Sequence, residues 1–205
     1  MPDALPPELS PAPLLSVEEL RRGLRHCGTG VKVFRGCRIF PPEQVSLGDF
    51  TQVDEGVWLL AGEGTIRIGR HVHLAFGSSV SGGGSCEIGD FAGIGAGVRL
   101  ITGSEVADGS GLTNPTVPPD LRVVRRGAIR VGAHALVYTG AIVLPDVEIG
   151  EGAVVGAGCV VHRSLKPWAV YAGHPLIQVG VRPADRILEL AKRLSCGRAG
   201  YMSDE

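Results

Sequence analysis

The run VGAHALVYTGAIVLPDVEIGEGAVVGAGCVV, from Val131 to Val161, decides the fold. Stepping six residues at a time from Val131 lands on Val137, Val143, Ile149, Val155 and Val161 without a gap. Four residues after each opening aliphatic stands a small or modest residue: Ala135, Ala141, Val147, Ala153 and Cys159. Glycine often follows the opener, as at Gly132, Gly150 and Gly156. A period of six fits neither a helix, at about 3.6 residues per turn, nor the alternation of a strand, at about 2. It fits a triangular solenoid with one short strand per face and three hexads per coil. Openers of successive coils then stack as interior ladders, Val131 over Ile149 and Val137 over Val155. The small residue fills the corner where the prism narrows, and glycine relieves the turn.

The frame continues upstream in shorter runs. Ile88, Ile94 and Leu100 open hexads with Ala92 and Val98 in the small column. Ile68, Leu74 and Val80 do so with Val72 and Ser78, and Leu47 and Val53 with Thr51 and Val57. Successive blocks are offset by two or three extra residues, which are expected to be corner insertions such as Gly82-Gly83-Gly84-Ser85. A Val/Gly-rich sandwich with accidental spacing would not keep six consecutive openers in frame. Composition points the same way. Thirty-one glycines with 5% aromatics do not suit a two-layer domain built on Leu and Phe; they suit many short strands joined by tight turns. The fold class is an all-β solenoid, a parallel β-helix with short terminal α-helices. Its handedness does not follow from the period, since parallel crossovers are usually right-handed.

Four segments are expected. Residues 1–13, rich in Pro and acidic side chains, form a disordered lead-in without signal-peptide character. Residues 14–30 form an N-terminal helix and cap, with Ser16-Val17-Glu18-Glu19 as a capping box opening a helix to about His26. Residues 31–175 are the β-helix, and 176–205 a C-terminal helix and tail. The second helix runs from Pro183 to about Leu194, with Ile187, Leu188, Ala191 and Leu194 on one side. Both helices are expected to cover the ends of the solenoid, where strand edges would otherwise lie open. Between 102 and 127 the frame breaks. That stretch carries Gly109, Gly111, Asn114, Pro115, Pro118 and Pro119, and a structureless loop of such length in a compact solenoid is usually functional. It would project from one edge and reach a neighbouring subunit.

A formal charge of −1 advertises no surface for nucleic acid or anionic lipid. No apolar run reaches membrane length, so no spanning helix is expected and the cytoplasm is the default location. The cysteines (Cys27, Cys37, Cys86, Cys159, Cys196) are odd in number, scattered and free of CxxC spacing, and read as packing residues. A zinc enzyme on such a scaffold, of the γ-carbonic anhydrase kind, would need three converging histidines with an open position. Here His71-x-His73 is followed by nothing until His134 and His162.

Two stretches carry a closer resemblance. The first set is His71-Val72-His73-Leu74-Ala75, Ile88-Gly89-Asp90-Phe91-Ala92-Gly93 and Leu112-Thr113-Asn114-Pro115-Thr116-Val117-Pro118. The second is Ile149-Gly150-Glu151-Gly152, Val155-Gly156-Ala157-Gly158 and Leu165-Lys166-Pro167-Trp168-Ala169-Val170-Tyr171-Ala172-Gly173-His174-Pro175. From about residue 40 to 185 the chain resembles the hexapeptide-repeat, left-handed β-helix acyltransferases. It looks most like those that N-acylate nucleotide-linked 4-amino-4,6-dideoxy sugars and the O-antigen sugar acetyltransferases. The resemblance implies a left-handed coil, a homotrimer, and transfer of an acetyl or short acyl group from CoA to a sugar amine or hydroxyl, with no metal. A non-catalytic scaffold on the same fold is the other reading, because a fold alone does not establish activity.

Carried over residue by residue, the resemblance gives Gly156 and Ala157 backbone N–H groups for the thioester end of CoA. It places Arg163 at a basic position that meets the CoA phosphates, with Lys166 and Trp168 beside it. Many sugar O-acetyltransferases of this kind have a histidine base after a Thr-Gly at the loop start; Thr102-Gly103-Ser104-Glu105 has none. The amino-sugar relatives place an acidic pair there, and Glu105-Val106-Ala107-Asp108-Gly109 keeps one acid. Relatives also tend to have Ser-Ser where this chain has Gly95-Ala96, which removes a serine-assisted proton path. Glu105 is therefore the leading candidate to orient or deprotonate the acceptor, and His134, outside the inward columns, is the second. Asn114 and Glu151 are candidates for binding the sugar. Since a neutral amine is already a nucleophile, the missing histidine favours N-acylation over O-acylation.

Overall fold

The computed structural model describes residues 13–197; most of the expected lead-in lies outside these. The chain winds into a prism whose three faces are sheets, two of six parallel strands and one of eight that is parallel except for its last strand. Face 1 stacks Cys27, Leu47, Ile68, Ile88, Val131 and Ile149 in register. Face 2 stacks Val33, Val53, Leu74, Ile94, Val137, Val155 and Tyr171. Face 3 stacks Ile39, Leu59, Val80, Leu100, Val143 and Val161. These are the hexad openers, so the six-residue frame is the inward column of every face. Their outward neighbours repeat less strictly, because water tolerates what a packed interior does not. The small column is buried as well, from Thr51 and Val57 in the lower coils to Ala153 and Cys159 above.

The coils differ in length for one reason. Val143 to Ile149 is a single hexad, but Ile39 to Leu47, Leu59 to Ile68 and Val80 to Ile88 span eight, nine and eight residues. Every extra residue falls on the edge between faces 3 and 1, and the long stretch after Leu100 leaves the prism at that same edge. The loop is thus the largest of a series of insertions at one edge.

Helix α1, Val17–Gly23, starts at the expected box: Ser16 accepts from the Glu19 N–H and Glu19 accepts from the Ser16 N–H. It ends three residues earlier than the sequence suggests, and His26–Cys27 already form the first strand. Leu20 and Leu24 are buried in the core, so α1 does cover the first coil. The other end is closed differently. Ile177–Val181 adds antiparallel to Ala169–Ala172 and extends face 2 past the last coil. Helix α2, Asp185–Gly197, instead turns Ile187, Leu190, Ala191 and Leu194 toward a cleft shared with Phe91 and His134, alongside an edge of the middle coils. Leu188, expected on the packing side, does not line that cleft; it is 41% exposed, and Leu190 and Leu194 are similarly exposed at 46% and 40%.

Cys86 and Cys159 lie in the core, and Cys27 and Cys37 pack against it. Burial pushes the Cys86 thiol up to about 12, which keeps it an inert hydrophobe. The Cys196 side chain falls outside the described residues.

Candidate active site

The break in the repeat is not structureless. Gly103–Glu105 and Val124–Arg126 form an antiparallel ribbon, pairing Gly103 with Arg126 and Glu105 with Val124. Further out, Val106 N–H donates to the Val123 carbonyl at 3.1 Å and Leu112 N–H to the Leu121 carbonyl at 2.9 Å. The insertion is a hairpin arm. Its ribbon is polar and its two strands are distant in sequence, so no alternation announced it.

The arm is bolted to the prism at its base. Thr102 is fully buried; its hydroxyl accepts from the Gly84 N–H at 3.0 Å and donates to the Ser81 carbonyl at 2.9 Å. Gly127 N–H donates to the Thr102 carbonyl at 2.8 Å. Arg126 pairs with Glu63 at 2.8 Å and Arg125 with Asp146 at 3.3 Å. Glu105 therefore stands close to a fixed root. Its carboxylate Oε1 accepts from Arg122 Nη1 on the returning limb at 3.4 Å, and both side chains are largely withdrawn from water. Arg122 carried no motif and was not singled out from the sequence. Asn114, at φ 77°, spends its side-chain oxygen on the Thr116 N–H at 3.0 Å and on the Thr116 hydroxyl. That Asx turn shapes the arm, and the amide nitrogen makes no hydrogen bond among the described residues.

His134 occupies the edge between faces 1 and 2. Phe50, His71, Phe91, His134 and Trp168, each three residues after a face 1 inward residue, adopt φ of 55–62° and stack ring on ring. Centroids are 5.0–5.1 Å apart up to His134 and 6.1 Å from His134 to Trp168. The larger step arises because Gly152 fills the intervening coil and the indole lies over it. Left-handed backbone at non-glycine residues costs about 1–3 kcal/mol each. Aromatic stacking returns about 0.5–1.5 kcal/mol per pair beyond burial. The signal lay in the sequence as a ring at a fixed offset in the hexad, visible only once the coils are superposed. Desolvation in this stack lowers the His134 pKa; the Arg182 charge adds to that, while Glu151 and Asp90 oppose it. The lowered pKa favours the neutral imidazole in the folded chain. Glu151 is exposed one column away and donates nothing to the stack beyond its charge.

The candidates for CoA divide likewise. Gly156 N–H donates to the Tyr171 carbonyl at 2.8 Å, so it is not available to a thioester. Ala157 sits exposed on the edge between faces 2 and 3, and its N–H has no partner among the described residues. Arg163 Nη2 donates to the Leu176 carbonyl at 3.0 Å, which ties down the exiting chain and leaves the rest of the guanidinium exposed. Lys166 has an exposed side chain, while its N–H donates to the Tyr171 hydroxyl at 3.1 Å. Trp168 is engaged in the ring stack. Of the remaining histidines, His73 Nε2 pairs with Asp54 Oδ2 at 2.8 Å, and no cluster of three or more ligating side chains occurs among the described residues. The site residues inferred from sequence thus fall on three separate edges: the arm with Glu105 and Asn114, the His134 stack, and Ala157.

Comparison with known proteins gives this geometry its context. Residues 128–163 match the family described as bacterial transferase hexapeptide (six repeats). The chain is 32% identical over 168 residues to the dTDP-4-amino-4,6-dideoxy-D-glucose acyltransferase of Escherichia coli, covering 82% of this chain and 87% of that protein. It superposes with a TM-score of 0.83 and 29% identity on a mutant of AntD, an N-acyltransferase from Bacillus cereus, in complex with dTDP-4-amino-4,6-dideoxyglucose and coenzyme A. That match covers 91% of this chain and 98% of AntD. AntD with dTDP and 3-hydroxybutyryl-CoA superposes with a TM-score of 0.84 at 28% identity, over 92% of this chain and all of that one. A match of 168 residues in a chain of 205 takes in the arm as well as the repeats. The chain belongs to the hexapeptide-repeat, left-handed β-helix family of CoA-dependent acyltransferases.

Proposed function

We propose that this protein transfers an acetyl or short acyl group from CoA to the amino group of a nucleotide-linked 4-amino-4,6-dideoxy sugar. The observation that carries the reading is the extent of the likeness to N-acyltransferases of such sugars, which runs through the arm and not only the repeats. In the reaction the neutral amine attacks the thioester carbonyl. The C–N bond forms, the C–S bond breaks, the amine proton passes to a base, and the thiolate of CoA leaves and is protonated. Glu105, rooted beside the prism, is the base or orienting acceptor in this reading. Ala157 N–H is a donor for the developing oxyanion, which is where a free backbone N–H is worth most. Asn114 and Glu151 are assigned to the sugar, Arg163 and Lys166 to the CoA phosphates, and His134 to a supporting role at its own edge.

Three edges of one prism cannot converge on one substrate, which supports a homotrimer whose sites form between chains. The exposed Phe40, Trp58, Phe76 and Tyr138 are the large apolar side chains that such contacts cover. Nucleotide sugars and acyl-CoA are cytoplasmic metabolites, so that compartment is assigned with them. The test follows free CoA release with acetyl-CoA and a panel of dTDP-, UDP- and GDP-linked amino sugars. Turnover on at least one amino sugar is expected. No turnover on any of them, alongside activity on a sugar with only hydroxyl groups, would overturn the N-acyl reading.

A further inference from the structure

The Glu105–Arg122 pair differs from the other ion pairs among the described residues. Side-chain exposures are 29% for Glu105 and 22% for Arg122, whereas the remaining pairs keep at least one partner at half exposure or more. An arginine serving only as a clamp engages a carboxylate through two parallel N–H···O bonds. Arg122 does not. One Nη1 contact at 3.4 Å reaches Oε1, and Nε is buried without a partner. Oε2 of Glu105 accepts no hydrogen bond among the described residues. A buried Nε–H without a partner costs stability, so the arrangement is not explained by stability alone. Nor does the arm need it. The ribbon pairing, the Thr102 hydrogen bonds and the two outer pairs of Arg125 and Arg126 already hold the root.

We propose that Arg122 is the positioning residue for Glu105. It holds Oε1 from the returning limb of the arm so that Oε2 is presented to the acceptor N–H. This inference rests on the reading of Glu105 as the group that meets the acceptor. Positioning of this kind acts on the reacting geometry and little on the binding of the donor, because a displacement near 1 Å is costly to rate.

The test is a double-mutant cycle on the full chain with acetyl-CoA and dTDP-4-amino-4,6-dideoxyglucose. Arg122→Met is expected to lower kcat by roughly tenfold with the KM for acetyl-CoA unchanged. Arg122→Lys, which keeps a donor on a flexible stem, is expected to recover part of that loss. In the Glu105→Gln background, Arg122→Met is expected to have no further effect, because its partner's function is already gone. Wild-type kcat in Arg122→Met, or the same fold-loss in both backgrounds, overturns the positioning role; the latter outcome marks a purely structural arginine. Wild-type turnover in Glu105→Gln overturns the reading of Glu105 itself, and that single variant separates the two failures.

Discussion

Gly84 offers a severe test of how the arm is rooted. Its backbone φ is not in the left-handed region, so alanine faces no conformational barrier there. The obstacle is space alone. A methyl group would run into the carbonyl oxygens of Gly127 and Thr102, the two residues at which the chain leaves and rejoins the prism. Both are backbone atoms, so no side chain can swing away, and the arm root must move by about 1 Å to restore van der Waals contact. Forcing an extra methyl into packed surroundings costs about 1–3 kcal/mol. For a chain of this size that lowers the unfolding midpoint by about 2–12 °C. The larger effect is on chemistry, since Glu105 rides on the displaced ribbon and turnover is expected to fall by roughly 10–100-fold. Gly23→Ala is the control. At the end of α1 a methyl group meets the Pro42 ring at an ordinary contact distance of 3.7 Å, and the position lies away from the arm and from every edge assigned to the reaction. The assay pairs thermal unfolding with CoA release. If Gly84→Ala matches Gly23→Ala in turnover, the arm does not depend on this junction and the reasoning fails.

Thr102→Val keeps the shape of the same junction but strands the Gly84 N–H, while the Ser81 carbonyl keeps the N–H of residue 102, and it is expected to cost about 1–3 kcal/mol by denaturant unfolding. Ile149→Ala, at a fully buried position in the face 1 ladder, is expected to lose about 2–5 kcal/mol in the same measurement. For His134, folding favours the neutral ring because the stack excludes water. Its contribution is whole above the unfolded value of about 6.5 and is lost as pH falls through the lowered folded value. His134→Phe keeps a ring in the stack and removes the proton, so its stability should fall less than wild type's between pH 7 and 5; parallel profiles would refute this.

The prism was legible because the rule that makes it is local. An aliphatic opener with a small residue four places on must point inward in every coil, so Val131, Ile149 and Val137 name their ladders from the sequence alone. The arm was legible only as an interruption. Its ribbon joins Gly103–Glu105 to Val124–Arg126, and neither stretch alternates apolar with polar residues. The Glu105–Arg122 pair was hidden for the same reason, since it depends on the register of that ribbon. Handedness was hidden too: a period of six is the same in a coil of either hand. The C-terminal helix was found, but its place beside Phe91 and His134 follows from the antiparallel strand Ile177–Val181, which turns the chain back first.

A solenoid raises a difficulty that a compact enzyme does not have. Whatever one coil presents at an edge, the next coil presents again about 5 Å away, so an active centre must come from a departure from the repeat. Two such departures stand out among the described residues. Gly152 interrupts the ring stack, and the arm carries Glu105 away from the prism. They stand on different edges, and the rigidity of the interior prevents any one chain from folding them together. The arm is the one that extends outward, and it leaves from the edge where every smaller insertion also falls. An acid held there, close to its root and steered by Arg122, is placed to serve an edge that its own prism does not supply.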